Sequence, residues 1–140
     1  MTLVIDASVA AKWVLAESPV EQDAGKAALL LGRIADENAT LLQPEHWRVE
    51  VLSIVARLAP DRFDRTWRLL ESLNVKWQSS KRVHERAVPL SNQVKHHFFD
   101  TLYHAIAIEH DASFITADDA YFAKAFRLGN IQILTNFSAS

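Results

Sequence analysis

The chain has 140 residues, 49% of them hydrophobic and 23% charged, with no cysteine and a formal net charge of −2. One domain of this length buries a substantial core, and the balance of apolar and charged residues excludes extended disorder. The lack of cysteine excludes thiol nucleophiles, disulfides, iron–sulfur clusters and Cys-ligated zinc, and Gly25, Gly32 and Gly129 stand too far apart for a phosphate-cradling loop or a dinucleotide fingerprint.

Leu3-Val4-Ile5 is a short apolar run that ends at Asp6 and reads as a buried strand. Ser8 is placed to cap the helix that follows, in which Ala10, Trp13 and Val14 recur at helical spacing. A second helix is expected from about Val20 to Asp36, with Ala24, Ala27, Ala28, Leu31 and Ala35 inward. Thr40-Leu41-Leu42 reads as a strand stopped by Pro44. From Glu45 the stripe Trp47, Val51, Ile54, Val55 and Leu58 predicts a helix ended by Pro60. Asp61 to Leu73 is a further helix with Phe63, Trp67, Leu70 and Leu73 apolar, and Val75-Lys76-Trp77 a strand. Val83 to Val94 is helical in pattern but interrupted by Pro89. Asp100 to Glu109 is a helix, Phe114-Ile115-Thr116 a strand, Asp119 to Phe126 a helix, and Ile131 to Leu134 a last strand. All four tryptophans, at 13, 47, 67 and 77, fall at apolar positions expected to be core.

Strands alternating with helices imply an α/β domain spanning residues 1–140, its parallel sheet covered by helices on both faces. Such sheets bind ligands at the carboxyl ends of their strands. Asp6 ends the first strand, and Asp118, with Asp119, follows the Phe114–Thr116 strand. Either acid is also a favoured helix N-cap. Glu50 falls about 80° from the centre of its helix's apolar stripe, at the margin. Asp100 opens the 100–109 helix. If the four converged with about 5 Å between charges, each close pair would repel by about 3 kcal/mol at an effective dielectric near 20. Such a group needs protonation or a divalent cation, and all-oxygen ligation suits Mg²⁺ or Mn²⁺. One or two such ions support phosphodiester hydrolysis by activating water and stabilising the leaving oxygen.

The segments VIDASVAAKWVLAE at 4–17, PEHWRVEVLSIVARL at 44–58, FFDTLYHAIAIEHDASFITADDAYFAKA at 98–125 and IQIL at 131–134 together resemble a PIN-domain nuclease. More narrowly, they resemble the VapC toxins of bacterial toxin–antitoxin pairs. The resemblance covers almost the whole chain, with the blocks in the family's order. It implies a single PIN domain with a sheet of about five parallel strands. It places the family's acidic tetrad, catalytic and metal-binding, on Asp6, Glu50, Asp100 and Asp118. Ser8 matches the small hydroxyl residue after the first acid, and Thr116 the threonine of a Thr-x-Asp block. Position 119, often basic or variable in the family, is an acid here, so Asp119 is a further auxiliary candidate that shares or replaces the role of Asp118. The resemblance also implies Mg²⁺- or Mn²⁺-dependent RNA cleavage leaving 5′-phosphate and 3′-hydroxyl ends, a homodimer, and a small VapB-like antitoxin as partner.

Charge is unevenly distributed. Residues 60–97 hold eight basic and four acidic side chains, whereas the flanking segments are each net negative. Setting the four tetrad acids aside leaves the remainder net positive, so the overall −2 does not count against an RNA partner. Lys12 and Arg48, near the acids, and Arg82 and Arg86, in the basic middle, are candidate RNA contacts as well as ordinary solvated cations. His96, Asp100 and His104 share an i, i+4, i+8 spacing, one helical face if the helix extends back far enough; a transition-metal site there is one reading, and the other is that they are surface or supporting groups, with His104 placed to bias the site toward Mn²⁺. Asp6 interrupts the apolar run a signal peptide would need, and no apolar stretch reaches the roughly 20 residues of a membrane span, so a soluble cytoplasmic protein is expected. Two other readings remain. An Asp-based phosphatase would want Asp-x-Asp where this chain has Asp6-Ala7-Ser8, and a non-catalytic PIN-fold binding module would be expected to have lost acids that are all present.

Overall fold

The computed structural model describes residues 1–15 and 23–138. Five strands, β1 (Thr2–Ile5), β2 (Thr40–Pro44), β3 (Val75–Gln78), β4 (Ser113–Thr116) and β5 (Ile131–Ile133), form one parallel sheet in the order β3-β2-β1-β4-β5. Among the described residues, seven α-helices connect them: α1 (Ala7–Leu15), α2 (Ala24–Asp36), α3 (Trp47–Leu58), α4 (Phe63–Ser72), α5 (Lys81–Val94), α6 (Phe98–Glu109) and α7 (Asp119–Ala125). Crossovers between parallel strands are right-handed. The first two run outward from β1 to β3, and the later ones run back across the sheet, so α1–α4 cover one face and α5–α7 the other. Helix α1 packs on α2 and α3, and α6 packs on α5 and on β1, β2 and β4.

The central strands read as apolar because both their faces are covered: Val4, Ile5, Leu41, Phe114 and Ile115 are buried. The direction of travel reverses between β1 and β4, which pair through Leu3↔Ser113, Val4↔Phe114 and Ile5↔Ile115. That seam is the switch point where a cleft forms beyond the strand ends.

On the other side of β1 the ladder is shorter. Thr2 and Leu3 pair with Thr40 and Leu41. Beyond them the Gln43 side chain takes over the pairing. Its Oε1 accepts from Ile5 N–H at 2.8 Å and its Nε2 donates to Ile5 C=O at 2.9 Å. The fully buried Gln43 thus satisfies the last residue of β1 where the two backbones part.

Several local expectations are corrected. Helix α1 begins at Ala7, with Asp6 rather than Ser8 before its first turn. Helix α2 begins at Ala24, and the part of the expectation over residues 20–22 lies outside the described residues. Its buried side is Ala27, Leu30 and Ile34, which join the main hydrophobic core, whereas Ala28 and Ala35 are exposed. Pro44 does not stop β2; it is the strand's last residue, paired with Gln78. Helix α5 runs unbroken through Pro89, which stands exposed, so the carbonyl it leaves unpaired faces water. Ser80 caps that helix by accepting from Val83 N–H. Leu134 belongs to a short 3-10 turn after β5.

Two of the four tryptophans are core. Trp47 is fully buried, and Trp13 donates its indole N–H to Ala27 C=O at 3.0 Å. Trp67 and Trp77 are 37% and 43% exposed, and the Arg48 guanidinium lies over both rings, 4.6 and 5.4 Å from their centroids. Leu58 and Phe63 are likewise exposed. The stripe of α4 is therefore half a surface feature, with Leu70 and Thr66 alone fully inward.

Candidate active site

The β1–β4 register dictates what meets at the seam. Ile5 lies opposite Ile115, so the next residues, Asp6 and Thr116, face each other. Asp6 N–H continues the ladder to Ile115 C=O at 3.0 Å. Thr116 Oγ1 donates to Asp6 Oδ2 at 2.6 Å, and Asp6 Oδ1 accepts a longer contact from Ser8 N–H at 3.3 Å. The Asp6 carbonyl accepts from Val9 and Ala10 N–H, starting α1. Asp6 therefore fills the cap position and also holds its carboxylate at the mouth of the cleft.

Asp118 also combines both roles that the sequence allows. Oδ1 caps α7 by accepting from Tyr121 N–H at 3.0 Å, and its own N–H donates to Thr116 Oγ1. Its Oδ2 is turned toward His96 Nε2, 3.7 Å away. Asp100 is not a cap. His97 occupies that position, and Asp100 sits inside the first turn of α6 with Oδ2 2.9 Å from His96 Nε2. His96, Asp100 and Asp118 are, among the described residues, the group of His and acidic side chains whose donor atoms all lie within 4.8 Å of one another.

Glu50 lies on the first turn of α3, with Oε1 2.8 Å from His46 Nε2 at an ion-pair distance but without hydrogen-bond alignment. Glu50 and Asp6 stand outside the 4.8 Å cluster but within its field. Burial pushes the Asp6 carboxyl up to about 6, and the charges of Asp100 and Glu50 add to the rise, against the lowering effect of the Thr116 and Ser8 hydrogen bonds. Asp100 is also raised, first by burial, with the His96 hydrogen bond opposing it and the Glu50 and Asp118 charges reinforcing it. The four acids are thus electrostatically one group. Their elements converge because β1, β4, α3 and α6 all end or begin at this edge of the sheet.

Two buried hydroxyls border the same space. Ser8 Oγ finds no hydrogen-bond partner among the described residues, and the Tyr103 hydroxyl has the Ala7 backbone beside it. Burial holds the Tyr103 hydroxyl protonated, and the charges of Glu50, Asp6 and Asp100 reinforce it. Carboxylates raised by burial and further by one another's charge, beside the unpartnered Ser8 hydroxyl, form a donor set that fits a hydrated divalent cation.

The remaining candidates sit as follows. Asp119 is exposed at the start of α7, and Asp118 rather than Asp119 stands in the His96–Asp100 cluster. Lys12 is half-buried beside Trp13 and Ala24 in a groove between α1 and α2. Arg48 is occupied by Trp67 and Trp77, with Glu71 at 3.8 Å. Arg82 and Arg86 both pair with Glu109, at the opposite end of α6 from Asp100. The structure does not bring these four cations together.

His104 is corrected outright as a group that biases the metal. It is fully buried, its Nδ1 lying 2.7 Å from the Tyr121 hydroxyl and its Nε2 2.8 Å from Gly129 C=O. A carbonyl only accepts, so Nε2 carries the proton and Nδ1 accepts from Tyr121. Burial lowers its pKa, which keeps the ring neutral. His96 is the histidine at the acids, and its i−4 spacing from Asp100 was the signal in the sequence. Lys124, whose Nζ reaches 3.4 Å from His96 Nδ1, had no such signal.

The PIN-domain family profile, described as "PIN domain", matches residues 3–127. No curated protein matches the chain in sequence. Among solved structures, the chain is similar to a toxin–antitoxin complex from Klebsiella pneumoniae, with TM-score 0.65 at 17% identity over 94% of this chain and 97% of that one. It is similar to VapBC-1 from nontypeable Haemophilus influenzae, with TM-score 0.66 at 15% identity over 97% of this chain and 100% of that one. It is also similar to the sarcin–ricin-loop-cleaving toxin VapC20 of Mycobacterium tuberculosis, with TM-score 0.64 at 14% identity over 99% of this chain and 98% of that one. At these identities the likeness is one of fold.

Proposed function

The chain belongs to the PIN-domain family, and from that premise we propose that it is a metal-dependent endoribonuclease, the toxin of a toxin–antitoxin pair. The observation that carries this reading is the carboxylate group at the β1–β4 seam. Asp100 and Asp118 share one imidazole, and Asp6 is pushed up to about 6 partly by the charges of Asp100 and Glu50. Acids that destabilise one another in this way are stabilised by a divalent cation.

In this reading Asp6, Glu50, Asp100 and Asp118 hold one or two Mg²⁺ or Mn²⁺ ions. When bound, such an ion supplies Lewis-acid activation of water and neutralises charge on the phosphodiester. Thr116 and the Ser8 N–H fix the Asp6 carboxylate. Asp118 is held by capping α7, with its second oxygen left toward the cleft. The unpartnered Ser8 hydroxyl is the auxiliary group nearest to Asp6 in sequence, and Asp119 lends negative charge at the rim. The exposed ring of Phe99 and the side chain of Val49 flank Glu50 and Asp100 in an open groove of about 490 Å³. Apolar rims of this kind receive unstacked bases, which favours single-stranded or loop RNA. The antitoxin complexes among the fold's relatives support a small protein inhibitor as partner. A homodimer working in the cytoplasm completes the proposal; among the described residues no helix is long and apolar enough to cross a membrane.

The test is cleavage of a mixed RNA pool by the purified protein in Mg²⁺, Mn²⁺ and EDTA. The expected result is endonucleolytic cleavage with either metal and none with EDTA. Cleavage that survives EDTA, or no cleavage of any RNA with metal, contradicts the proposal.

A further inference from the structure

We propose that His96 is itself a metal ligand, so that this site is a mixed nitrogen–oxygen one that selects Mn²⁺ and other first-row transition ions over Mg²⁺. The inference rests on the reading above that the acids hold a divalent ion, and goes beyond it in naming a donor outside the acidic tetrad.

The geometry carries it in three parts. First, Nε2 of His96 stands 2.9 Å from Asp100 Oδ2 and 3.7 Å from Asp118 Oδ2, and donor atoms of all three residues lie within 4.8 Å of one another. An octahedral ion with bonds near 2.1 Å spans ligands about 3–4 Å apart, so small side-chain movements suffice. Second, the imidazole is held in place without the metal. Its side chain is 12% exposed and packs on Tyr121 with ring centroids 5.0 Å apart. The backbone is fixed by His96 N–H to Ser91 C=O and by Ser91 Oγ to His96 C=O. Third, Tyr121 is itself anchored through His104 to Gly129 C=O, so the surface behind the imidazole is rigid.

Ligation through Nε2 requires the ring proton on Nδ1. Lys124 Nζ lies 3.4 Å from Nδ1, but it is exposed and has a second acceptor in Lys95 C=O at 3.1 Å, so a proton on Nδ1 costs it one contact and leaves the other. Mg²⁺ prefers oxygen ligands and keeps its waters, whereas imidazole suits the later divalent metals. A nitrogen donor therefore adds little for Mg²⁺, more for Mn²⁺ and most for later ions such as Co²⁺.

The test is pulsed EPR of Mn²⁺ bound to the wild-type protein, together with calorimetric titration of Mn²⁺ and Mg²⁺ into wild type, His96→Gln and Asp100→Asn. The expected results are nitrogen modulation from one imidazole in wild type and its loss in H96Q. H96Q should bind Mn²⁺ at least about tenfold more weakly, with Mg²⁺ affinity changed less than about twofold. Mn²⁺ bound without nitrogen coupling, nitrogen coupling that persists in H96Q, or equal Mn²⁺ affinity in wild type and H96Q overturns the inference. If in those cases D100N still abolishes binding, the acid site stands and only the His96 assignment fails. If wild type binds neither ion, both fail. The spectrum of wild type requires no variant, so the result does not depend on how well H96Q folds.

Discussion

Thr116 donates a 2.6 Å hydrogen bond to Oδ2 of Asp6, although 110 positions separate the two residues in the chain. The same hydroxyl oxygen accepts from Asp118 N–H at 3.0 Å. One buried threonine therefore ties the acid after β1 to the acid after β4 across the switch point. Thr116→Val keeps the shape and removes both bonds. It is expected to cost about 1–3 kcal/mol in urea unfolding, while Thr116→Ser stays near wild type. Equal stability of T116V and wild type would show that this bond does not fix the seam.

Gln43 performs a comparable task on the other side of β1, where its amide replaces a strand neighbour for Ile5. Gln43→Leu leaves a buried N–H and a buried C=O without partners. The expected loss is about 2–5 kcal/mol by denaturant unfolding, larger than for an ordinary apolar swap of that volume. A loss below about 1 kcal/mol would mean that the strand end is satisfied in another way.

Much of this arrangement is legible in the sequence because each acid stands where periodicity changes. Asp6 and Asp118 mark strand-to-helix transitions, and Glu50 marks the edge of an apolar stripe, so topology alone carries them to one edge of the sheet. What a period cannot say is whether an apolar stripe ends in core or in solvent. Trp67 and Trp77 fit the stripe yet lie under the Arg48 guanidinium on the surface, a pairing made between α3, α4 and β3. Gln43 reads as an ordinary polar residue after an apolar run, since its partner is the backbone of another strand. His96 and His104 share one spacing from Asp100, but His96 precedes the helix and turns to the acids, while His104 is drawn into the core by Tyr121 and Gly129. The exposed side of Pro89 explains why α5 tolerates it, and exposure is again a tertiary property.

The raised Asp6 pKa has a pH signature. Between about pH 4 and pH 6 the folded protein holds a proton at Asp6 that the unfolded chain releases. Folding is thus favoured at the acid end of that range and loses stability as pH rises through it. From the ordinary 3.8 to about 6, the full cost of the ionised carboxylate above pH 6 is on the order of 3 kcal/mol. In EDTA, Asp6→Asn should match wild type near pH 4 and become more stable than it by up to that amount at pH 7.5. With saturating Mn²⁺ at pH 7.5 the order should reverse, because only wild type gains the ion. A difference between the two proteins that ignores both pH and metal would contradict the assignment of Asp6 to a repelled, metal-binding group.

The most direct measurement is RNA cleavage by Asp6→Asn and Asp100→Asn beside wild type, in Mn²⁺, with melting curves to establish that each variant is folded. Each substitution keeps the side chain's shape and removes its charge. The account predicts that both folded variants lose cleavage by at least about a hundredfold, the scale on which metal and transition-state electrostatics act. Wild-type activity in both folded variants would contradict it, because the carboxylates gathered at the β1–β4 seam would then have no part in the chemistry.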